Sequence, residues 1–386
     1  MSRAPSPGRR RAGWKKPVLA AAILAVLGYA AWLAFQLLSY RVYLTGFAAP
    51  GQEIEGVYHV HSLHSDGRAD VETIARTGID TGLDFIILTD HGAPNRPSMA
   101  AQGWRDGLLL LAGSELSTSR GHLVGLGFEP PEENFSQNAE EALQKINSLG
   151  GMGVISHPYY KARWSWGPMD GYAGMDIING NSLLKSGYGR LLLYLPALAL
   201  EPKFFLLKLT RLPARELARW DEVNARHNIY GFFSTDAHLL YRPMFSFLRL
   251  HLILDRPLSR NFDEARAQVV EALRTGKFYN AVDAAAQARG FRFWGEKDGR
   301  RIPMGRAPGY IPPLQLRVKA RFDFDVEVRI LKDGRVVHSS REKEFLFDVP
   351  GPGVYRAEAY LRSRTPLDPR VPWIVSNPIF FREVSP

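Results

Sequence analysis

The stretch from Glu53 to Ala285 alternates short apolar runs with amphipathic segments, and this alternation restricts the possible folds more than any other feature. GVYHVHS and DFIILTD have the composition of strands, and the second is apolar enough to be buried on both faces. ADVETIARTGIDTG and DEARAQVVEALRTGK have the spacing of helices, and Asp70 stands where an N-cap is expected. We therefore predict an α/β domain over residues 53–285, built on a parallel sheet or barrel.

The pattern changes after about residue 290, where apolar and polar residues alternate as they do in strands with one buried face. LQLRVKARF, EFLFDV and GVYRAEAYL are runs of this kind. The dipeptide Asp333-Gly334 stands between two further runs and predicts a tight hairpin. These features predict an all-β sandwich domain over residues 286–386.

Residues 17–40 contain no charged side chain and are long enough to cross the apolar core of a bilayer. The segment exceeds the apolar core of a signal peptide, about 7–15 residues, and no clear cleavage site follows it. We predict an uncleaved single-pass signal anchor, with a cleaved signal peptide as the alternative. The tail of residues 1–16 is basic and should stay in the cytoplasm. After a linker of residues 41–52, the rest should lie on the extracytoplasmic side of the cell (inner) membrane.

Charge and cysteine content exclude several classes of protein. The formal net charge is +10, but six of the basic residues lie in the tail. Without the tail, the chain has 43 basic and 39 acidic residues, which is close to balance. We therefore expect no nucleic-acid partner. The chain has no cysteine, which excludes disulfides, thiolate zinc sites and cysteine nucleophiles. A metal ion would have to be held by histidines and carboxylates.

Histidines and carboxylates gather at the ends of the predicted strands. Six of the ten histidines do so, namely His59, His61, His91, His122, His157 and His238. The accompanying carboxylates are Asp66, Glu115 and Asp236. Residues i and i+2 of a strand face the same side, so His59 and His61 can share an ion, as can Asp236 and His238. Nine donors exceed the need of one ion, and we predict two or three divalent ions of Zn, Mn or Fe.

The motifs HVHSLHSDG, LTDH, GSE, SHP and STDAH, in this order, resemble those of the PHP (polymerase-and-histidinol-phosphatase) superfamily. The resemblance covers about residues 55–285. It implies a distorted (β/α)7 barrel with a hydrolytic site of two or three metals, and it matches all nine residues above to metal ligands. The segment VPWIVSNPIFFR resembles, over a shorter stretch, a carbaryl-hydrolase-like branch of the superfamily.

Other polar residues near these motifs have predicted roles. The cations Arg120, Lys161 and Arg163 could bind a phosphate group, the alternative being solvated loop charges. Asp66 or Asp236 could transfer the proton during hydrolysis. Asp90 is interpreted as a residue that orients the site rather than a ligand.

These features predict a membrane-anchored metal-dependent hydrolase in which a hydroxide bridging two ions attacks the substrate. We favour phosphoester hydrolysis, with a small-molecule or envelope-derived phosphoester as substrate, because this reaction is common in the superfamily. Hydrolysis of a carbamate, ester or amide on the same metal site is the alternative. A non-catalytic, membrane-tethered binding module is an alternative of another class. The apolar segment 183–212 is either a helical excursion that touches the membrane surface or an insert packed on the domain.

Overall fold

A computed structural model describes residues 15–43, 52–159, 163–167, 169–186 and 188–383. The chain divides into two units, Met1–Tyr40 and Arg41–Pro386. The described part of the first unit is helix α1 (Lys15–Leu38), which by length and composition can cross a membrane. The helix overlaps the predicted span. Most of the basic tail and most of the linker lie outside the described residues.

The second unit contains helices and strands from Glu53 onward. Its helices are α2 (Val71–Asp80), α3 (Arg96–Ala100), α4 (Ala139–Ser148), α5 (Gly180–Ser186), α6 (Tyr188–Leu200), α7 (Pro202–Leu209), α8 (Ala214–Asn224), α9 (Tyr241–Phe245) and α10 (Phe262–Arg274). Its first eleven strands are β1 (Glu53–Val60), β2 (Phe85–Leu88), β3 (Gly103–Arg105), β4 (Leu108–Ala112), β5 (Ser114–Thr118), β6 (Gly121–Leu126), β7 (Met152–Ile155), β8 (Gly174–Asn179), β9 (Tyr230–Ser234), β10 (Leu248–Ile253) and β11 (Phe278–Val282). The later strands are β12 (Arg292–Lys297), β13 (Arg300–Pro303), β14 (Gln315–Lys319), β15 (Val326–Lys332), β16 (Arg335–Ser340), β17 (Glu344–Asp348), β18 (Gly353–Leu361), β19 (Ile374–Ser376) and β20 (Ile379–Phe381).

Two sheets carry the strands of the first two thirds of this unit. An eleven-stranded sheet has the order β16-β15-β18-β19-β11-β10-β1-β2-β4-β3, and β20 pairs with β18. A five-stranded sheet has the order β5-β6-β7-β8-β9. Pairing is parallel within β1-β2-β4 and β7-β8-β9, whereas β6 pairs antiparallel with both of its neighbours. The mixed α/β class predicted from the sequence is confirmed, with antiparallel pairs added to the parallel ones.

The two sheets are joined at two places. Isolated parallel bridges join Val60 to Ala237 and His91 to Glu115. At the first bridge the His61 amide donates to the Ala237 carbonyl at 3.0 Å. Strands β4 and β5 are separated only by Gly113, and the chain passes there from one sheet to the other. The strand ends that carry the predicted ligands therefore lie at the junction of the two sheets.

The C-terminal strands are shared between two sheets. A four-stranded sheet has the order β13-β12-β14-β17, and the other strands extend the large sheet through the β11–β19 pair. The hairpin predicted at Asp333-Gly334 is confirmed: both residues have positive φ, 48° and 76°, and connect β15 to β16. The predicted boundary between residues 285 and 286 stays a prediction, and the large sheet runs across it.

Local signals explain the helix starts. The Asp70 side chain accepts a hydrogen bond from the Thr73 amide at 2.7 Å, as expected of an N-cap. Asn138 and Asn261 cap α4 and α10 in the same way. Each of these helices buries one apolar stripe, which packs it on the sheets and leaves the strand ends open.

Candidate metal centre

The nine predicted ligands come together at the strand ends. His59 and His61 lie at the end of β1, His91 follows β2, and Glu115 lies in β5. The others are His122 in β6, His157 after β7, and Asp236 and His238 after β9. Asp66 joins them from the loop between β1 and α2. Because these strands end at the junction of the two sheets, residues far apart in sequence meet within one cluster.

Glu115 lies at the centre of the cluster and is buried. Its Oε1 is 3.0 Å from both His122 Nδ1 and His157 Nε2. Its Oε2 is 3.2 Å from His59 Nε2, 3.3 Å from His61 Nε2 and 3.4 Å from His91 Nδ1. A carboxylate has about four lone-pair sites, so five imidazole nitrogens around one carboxylate exceed what it can satisfy as a hydrogen-bond acceptor.

A second group of donors lies at the mouth of the cluster around Asp66. Asp66 Oδ2 is 3.2 Å from His238 Nε2 and 3.7 Å from His91 Nε2, and Oδ1 is 3.4 Å from His61 Nδ1. The Asp66 side chain is 56% exposed, whereas that of Asp236 is 5% exposed. Asp236 Oδ1 lies deeper, 3.5 Å from His61 Nε2 and 3.6 Å from His59 Nε2. His61 therefore stands between the two groups.

Backbone conformation is strained at three of these residues. His59, Asp236 and His157 have φ values of 70°, 49° and 28°, in the region that non-glycine residues rarely adopt. The Thr235 hydroxyl donates to the His59 carbonyl at 2.7 Å and holds that turn of the chain. Strain of this kind is found where the surrounding structure fixes a functional group in place.

Electrostatic interactions within the cluster shift several pKa values. Burial alone would raise the pKa of the Glu115 carboxyl, but the surrounding imidazoles, His59 first among them, hold it well below its usual range. The pKa of Asp236 is lowered likewise, against the effect of burial, by His59 and His61. Burial would lower the pKa of His61, but Asp236 and Glu115 raise it to about 10. The cluster thus favours ionised carboxylates facing positive charge.

The donor set fits divalent metal ions. Neither ring nitrogen of the buried His59 forms a hydrogen bond within the described residues, which is costly unless another group occupies the site. Three sets of side chains could each hold an ion: His61, Asp66, His91 and His238; His59, His61 and Glu115; and His91, Glu115 and His122. Imidazole and carboxylate donors suit Zn, Mn or Fe.

Residues that the sequence analysis missed support the cluster. The buried Asp176 carboxylate accepts hydrogen bonds through Oδ2 from the His157 amide at 2.9 Å and the Ser234 hydroxyl at 2.7 Å. The Tyr241 hydroxyl lies 2.8 Å from the His61 carbonyl and 2.9 Å from that of His238. A charged residue inside the apolar run MDIING is the one sequence signal that pointed to Asp176.

The residues predicted to orient the site or bind substrate have different surroundings. The buried Asp90 accepts from the Ser62 amide at 2.7 Å and the Ser65 hydroxyl at 2.6 Å, so it fixes the loop that carries Asp66. The Arg120 guanidinium donates to Glu140 at 2.8 Å and to the Ser165 carbonyl at 3.2 Å. Arg163 is exposed, and Lys161 lies outside the described residues. The phosphate-binding role of these three cations stays a prediction.

A cavity of about 580 Å³ adjoins the cluster at His157. Its lining includes three cations, Lys185, Arg211 and Arg215, against the carboxyl group of Glu216, and the apolar side chains Leu183 and Leu212. The Arg215 guanidinium lies 4.1 Å from the ring centroid of Tyr159, another lining residue, and this cation–π contact holds the charge at the cavity wall. The cavity suits a ligand that carries both negative charge and apolar surface.

A second buried ionic cluster lies at the opposite end of β1. His251 Nδ1 is 3.1 Å from Glu53 Oε1, and its Nε2 is 3.0 Å from Asp283 Oδ2. Arg292 pairs with Glu53 at 2.6 Å, and Arg249 pairs with Glu55 at 2.7 Å. Both imidazole nitrogens are engaged and arginines balance the carboxylates, so the arrangement is an ion-pair network that stabilises the sheet.

Comparison with known proteins finds several similarities and no matching family model. An uncharacterized protein of Methanocaldococcus jannaschii is 24% identical over an alignment of 113 residues, and the match covers 26% of this chain. The chain spans 66% of that relative, just under two thirds of its length.

Similar solved structures include a two-domain protein of Bacteroides vulgatus that contains a predicted PHP-like metal-dependent phosphoesterase. It is 13% identical in sequence, its TM-score is 0.42, and the match covers 88% of this chain and 99% of that one. A candidate metal-dependent phosphoesterase of Bifidobacterium adolescentis is 14% identical, with a TM-score of 0.35 over 49% and 89%. An amidohydrolase of Chromobacterium violaceum, with bound sulfate and no metal, is 17% identical, with a TM-score of 0.32 over 47% and 87%. These TM-scores lie below 0.5, so the function proposed below rests on the residues of the site.

Proposed function

We propose that this chain is a membrane-anchored, metal-dependent hydrolase of the PHP type that acts on phosphoesters. The observation that carries the proposal is the buried Glu115 carboxylate with five imidazole nitrogens within 3.4 Å. Without a cation, a protein gains little from gathering so many donors around one acceptor, since buried polar groups that lack partners destabilise the fold.

Two or three divalent ions would be held by the nine residues of the cluster. Glu115 and His61 would be among them, since each contacts members of both groups of donors. Bound divalent ions supply Lewis acidity toward the substrate oxygen and lower the pKa of water to near neutrality. The nature and number of the ions belong to the proposal, with Zn, Mn and Fe as candidates.

The two candidate proton-transfer residues differ in their access to substrate. Asp66 is more than half exposed at the mouth of the cluster, whereas Asp236 is almost fully buried among His59 and His61. We therefore assign proton transfer to Asp66, which would also contribute to the outer group of ligands, and metal binding alone to Asp236, because a general acid or base must reach the reacting group. Lys185, Arg211 and Arg215 beside His157 would attract an anionic substrate, which favours a phosphoester over a neutral carbamate or ester.

Fold and location complete the proposal. The two bridges between the sheets support a closed, distorted (β/α)7 barrel, since they connect the segment after β9 to β1 and the segment after β2 to β5. Helix α1 would serve as a signal anchor, with the metal cluster on the extracytoplasmic side.

Metal analysis followed by a substrate panel tests the proposal. The full chain, purified in detergent, would be supplied separately with Mn and Zn and assayed with p-nitrophenyl phosphate, bis-p-nitrophenyl phosphate, p-nitrophenyl acetate and an aryl carbamate. We expect metal-dependent turnover of a phosphoester, and its loss in Glu115→Gln. Faster turnover of the carbamate or acetate would assign the chain to the alternative hydrolase class. Bound metal without turnover of any substrate would favour a binding module.

A further inference from the structure

The segment between β8 and α8 begins and ends at the cavity beside the metal cluster. Helix α5 follows β8 directly and contributes Leu183 and Lys185 to the cavity lining. Helices α6 and α7 follow, and the chain returns to the cavity at Arg211 and Leu212. We call residues 180–212 the helical insert. Anything that binds the outer surface of the helical insert is thus placed next to the cavity opening.

Helix α6 presents leucines to solvent, whereas α7 buries its apolar residues. Leu192, Leu195 and Leu200 are 70%, 47% and 70% exposed. At 100° per residue these three leucines fall within an arc of about 140° on one side of the helix. By contrast, Phe204 and Phe205 in α7 are buried. A group of exposed leucines on one helix face marks a surface that contacts another apolar phase or a partner.

The charges around this face are almost all positive. Between residues 183 and 215 the chain has six basic residues and one acidic residue. Exposed Lys185 and Arg211 belong to this set and flank the leucine face at the two ends of the helical insert. A second copy of the chain would bring like charges together there. An anionic bilayer surface instead complements both the cations and the leucines.

We propose that the helical insert rests on an anionic bilayer and that the cavity takes an amphiphilic anionic ester directly from it. The leucine face of α6 lies among the acyl chains. The anionic group of the substrate approaches His157 beside Arg215, and its apolar chain lies along Leu183 and Leu212. This inference rests on the proposed hydrolase function and specifies its substrate class.

The position of α6 is tested by spin labelling, for which the chain is suited because it has no cysteine. Leu195→Cys and, as a control, Val336→Cys on β16, which is 53% exposed, are labelled in the full chain and reconstituted into phosphatidylcholine vesicles with phosphatidylglycerol. Electron paramagnetic resonance then compares the accessibility of each label to oxygen and to a water-soluble nickel complex. We expect the label at 195 to favour oxygen and that at 336 to favour nickel. Equal behaviour of the two labels would overturn the proposal.

The substrate class is tested with hexadecyl phosphate and propyl phosphate on the full chain in neutral detergent micelles. Wild type should prefer the long-chain ester, and Leu192→Gln/Leu195→Gln/Leu200→Gln should lower kcat/KM for that ester about tenfold while propyl phosphate hydrolysis persists. Val336→Gln is the matched control and should leave the ratio of the two rates unchanged. Turnover of propyl phosphate with no long-chain preference would overturn this inference alone. Turnover of neither ester would count against the proposed phosphoesterase function itself.

Discussion

The Asp176 carboxyl group accepts the backbone amide hydrogen of His157 at 2.9 Å, and so a buried side chain holds a strained residue of the candidate metal centre. The same Oδ2 atom accepts from Ser234 and Asn179. Burial raises the pKa of Asp176, while the charge of His59 and the hydrogen bonds from the His157 amide and Ser234 act in the opposite direction. The relationship connects β7, β8 and β9 just below the site.

Truncation of Asp176 should therefore weaken both the fold and the cluster. Asp176→Ala removes the shared acceptor of three hydrogen bonds, and we expect the free energy of unfolding to fall by about 3 kcal/mol. Metal affinity should fall about 10–100-fold, as for other outer residues of metal sites. Denaturant titration and metal analysis measure both effects. Asp170→Ala, which removes an exposed carboxylate, is the control, and equal unfolding free energies for the two variants would contradict the prediction.

Removing both imidazoles at the end of β1 should abolish metal binding. The double variant His59→Ala/His61→Ala removes the two imidazoles whose Nε2 atoms contact Glu115 Oε2. We expect hydrolysis to be lost and the amount of bound metal to decrease. Elemental analysis of the purified protein measures this directly. His64→Ala, an exposed histidine three residues further on, should retain wild-type metal content. Wild-type metal stoichiometry in the double variant would rule out the assignment of these two ligands.

Variants of Asp66 and Asp236 should distinguish the loss of proton transfer from the loss of metal binding. Asp66→Asn should lower kcat about 10²-fold or more and keep the bound metal, because His61, His91 and His238 of the same group remain. Asp236→Asn should lower both kcat, by about 10²-fold, and metal content, because it removes a buried charge beside two imidazoles. Kinetics and metal analysis on the same preparations compare them. Identical metal loss in the two variants would contradict the assignment of roles.

The ion-pair network around His251 should make stability depend on pH. Burial would lower the pKa of His251, but Asp283, Glu55 and Glu53 raise it from 6.5 to about 10. Its stabilising contribution is therefore complete below pH 6.5 and is lost as pH rises toward about 10, by up to about 1.4 kcal/mol per pH unit. In His251→Gln, the unfolding free energy should fall less between pH 6.5 and about 10 than it does in wild type. The control His338→Gln on β16 should show the same fall as wild type. A parallel fall in wild type and His251→Gln would show that other groups cause it.

Membrane orientation gives a further prediction. The six basic residues before residue 17 should hold the N-terminus in the cytoplasm, so a reporter fused after Pro386 should be active only when it functions outside the cytoplasm. Paired phosphatase and fluorescent-protein fusions measure this. A fusion with the basic residues of the tail replaced by glutamine should show mixed orientation. A fluorescent, phosphatase-inactive fusion of the wild-type chain would place the metal cluster on the cytoplasmic side.

Much of the site was predictable because its ligands occupy strand ends, where local motifs mark them. The i, i+2 spacing predicted that His59 and His61 share a site, and both contact Glu115. The same spacing predicted it for Asp236 and His238, which contact each other, although neither pair lies wholly within a regular strand. All nine predicted ligands join one cluster of contacts in the structure. Their action as metal ligands stays a prediction.

Long-range pairing was not predictable in the same way. Strand β10 was missed because Arg249 and His251 interrupt its apolar run. Both side chains can be buried because carboxylates pair with them: Glu55 with Arg249, and Glu53 and Asp283 with His251. The antiparallel direction of β6 depends on a short turn after Thr118 rather than on periodicity. The pairing of β11 with β19 joins residues nearly a hundred positions apart, and strand composition does not specify such a partner.

The pairing of β11 with β19 limits where the chain can be truncated or recombined. A chain cut after β11 would expose the edge of Tyr279–Ala281 as a template for aggregation. It would also lose Asn377, whose side chain accepts the Gly231 amide at 2.9 Å at the start of the strand that leads to Asp236. A recombination event that replaced the C-terminal strands would have to supply both a matching strand and this side chain. The strands that carry the candidate metal centre and the C-terminal strands therefore have to be expressed together for either part to keep its partners.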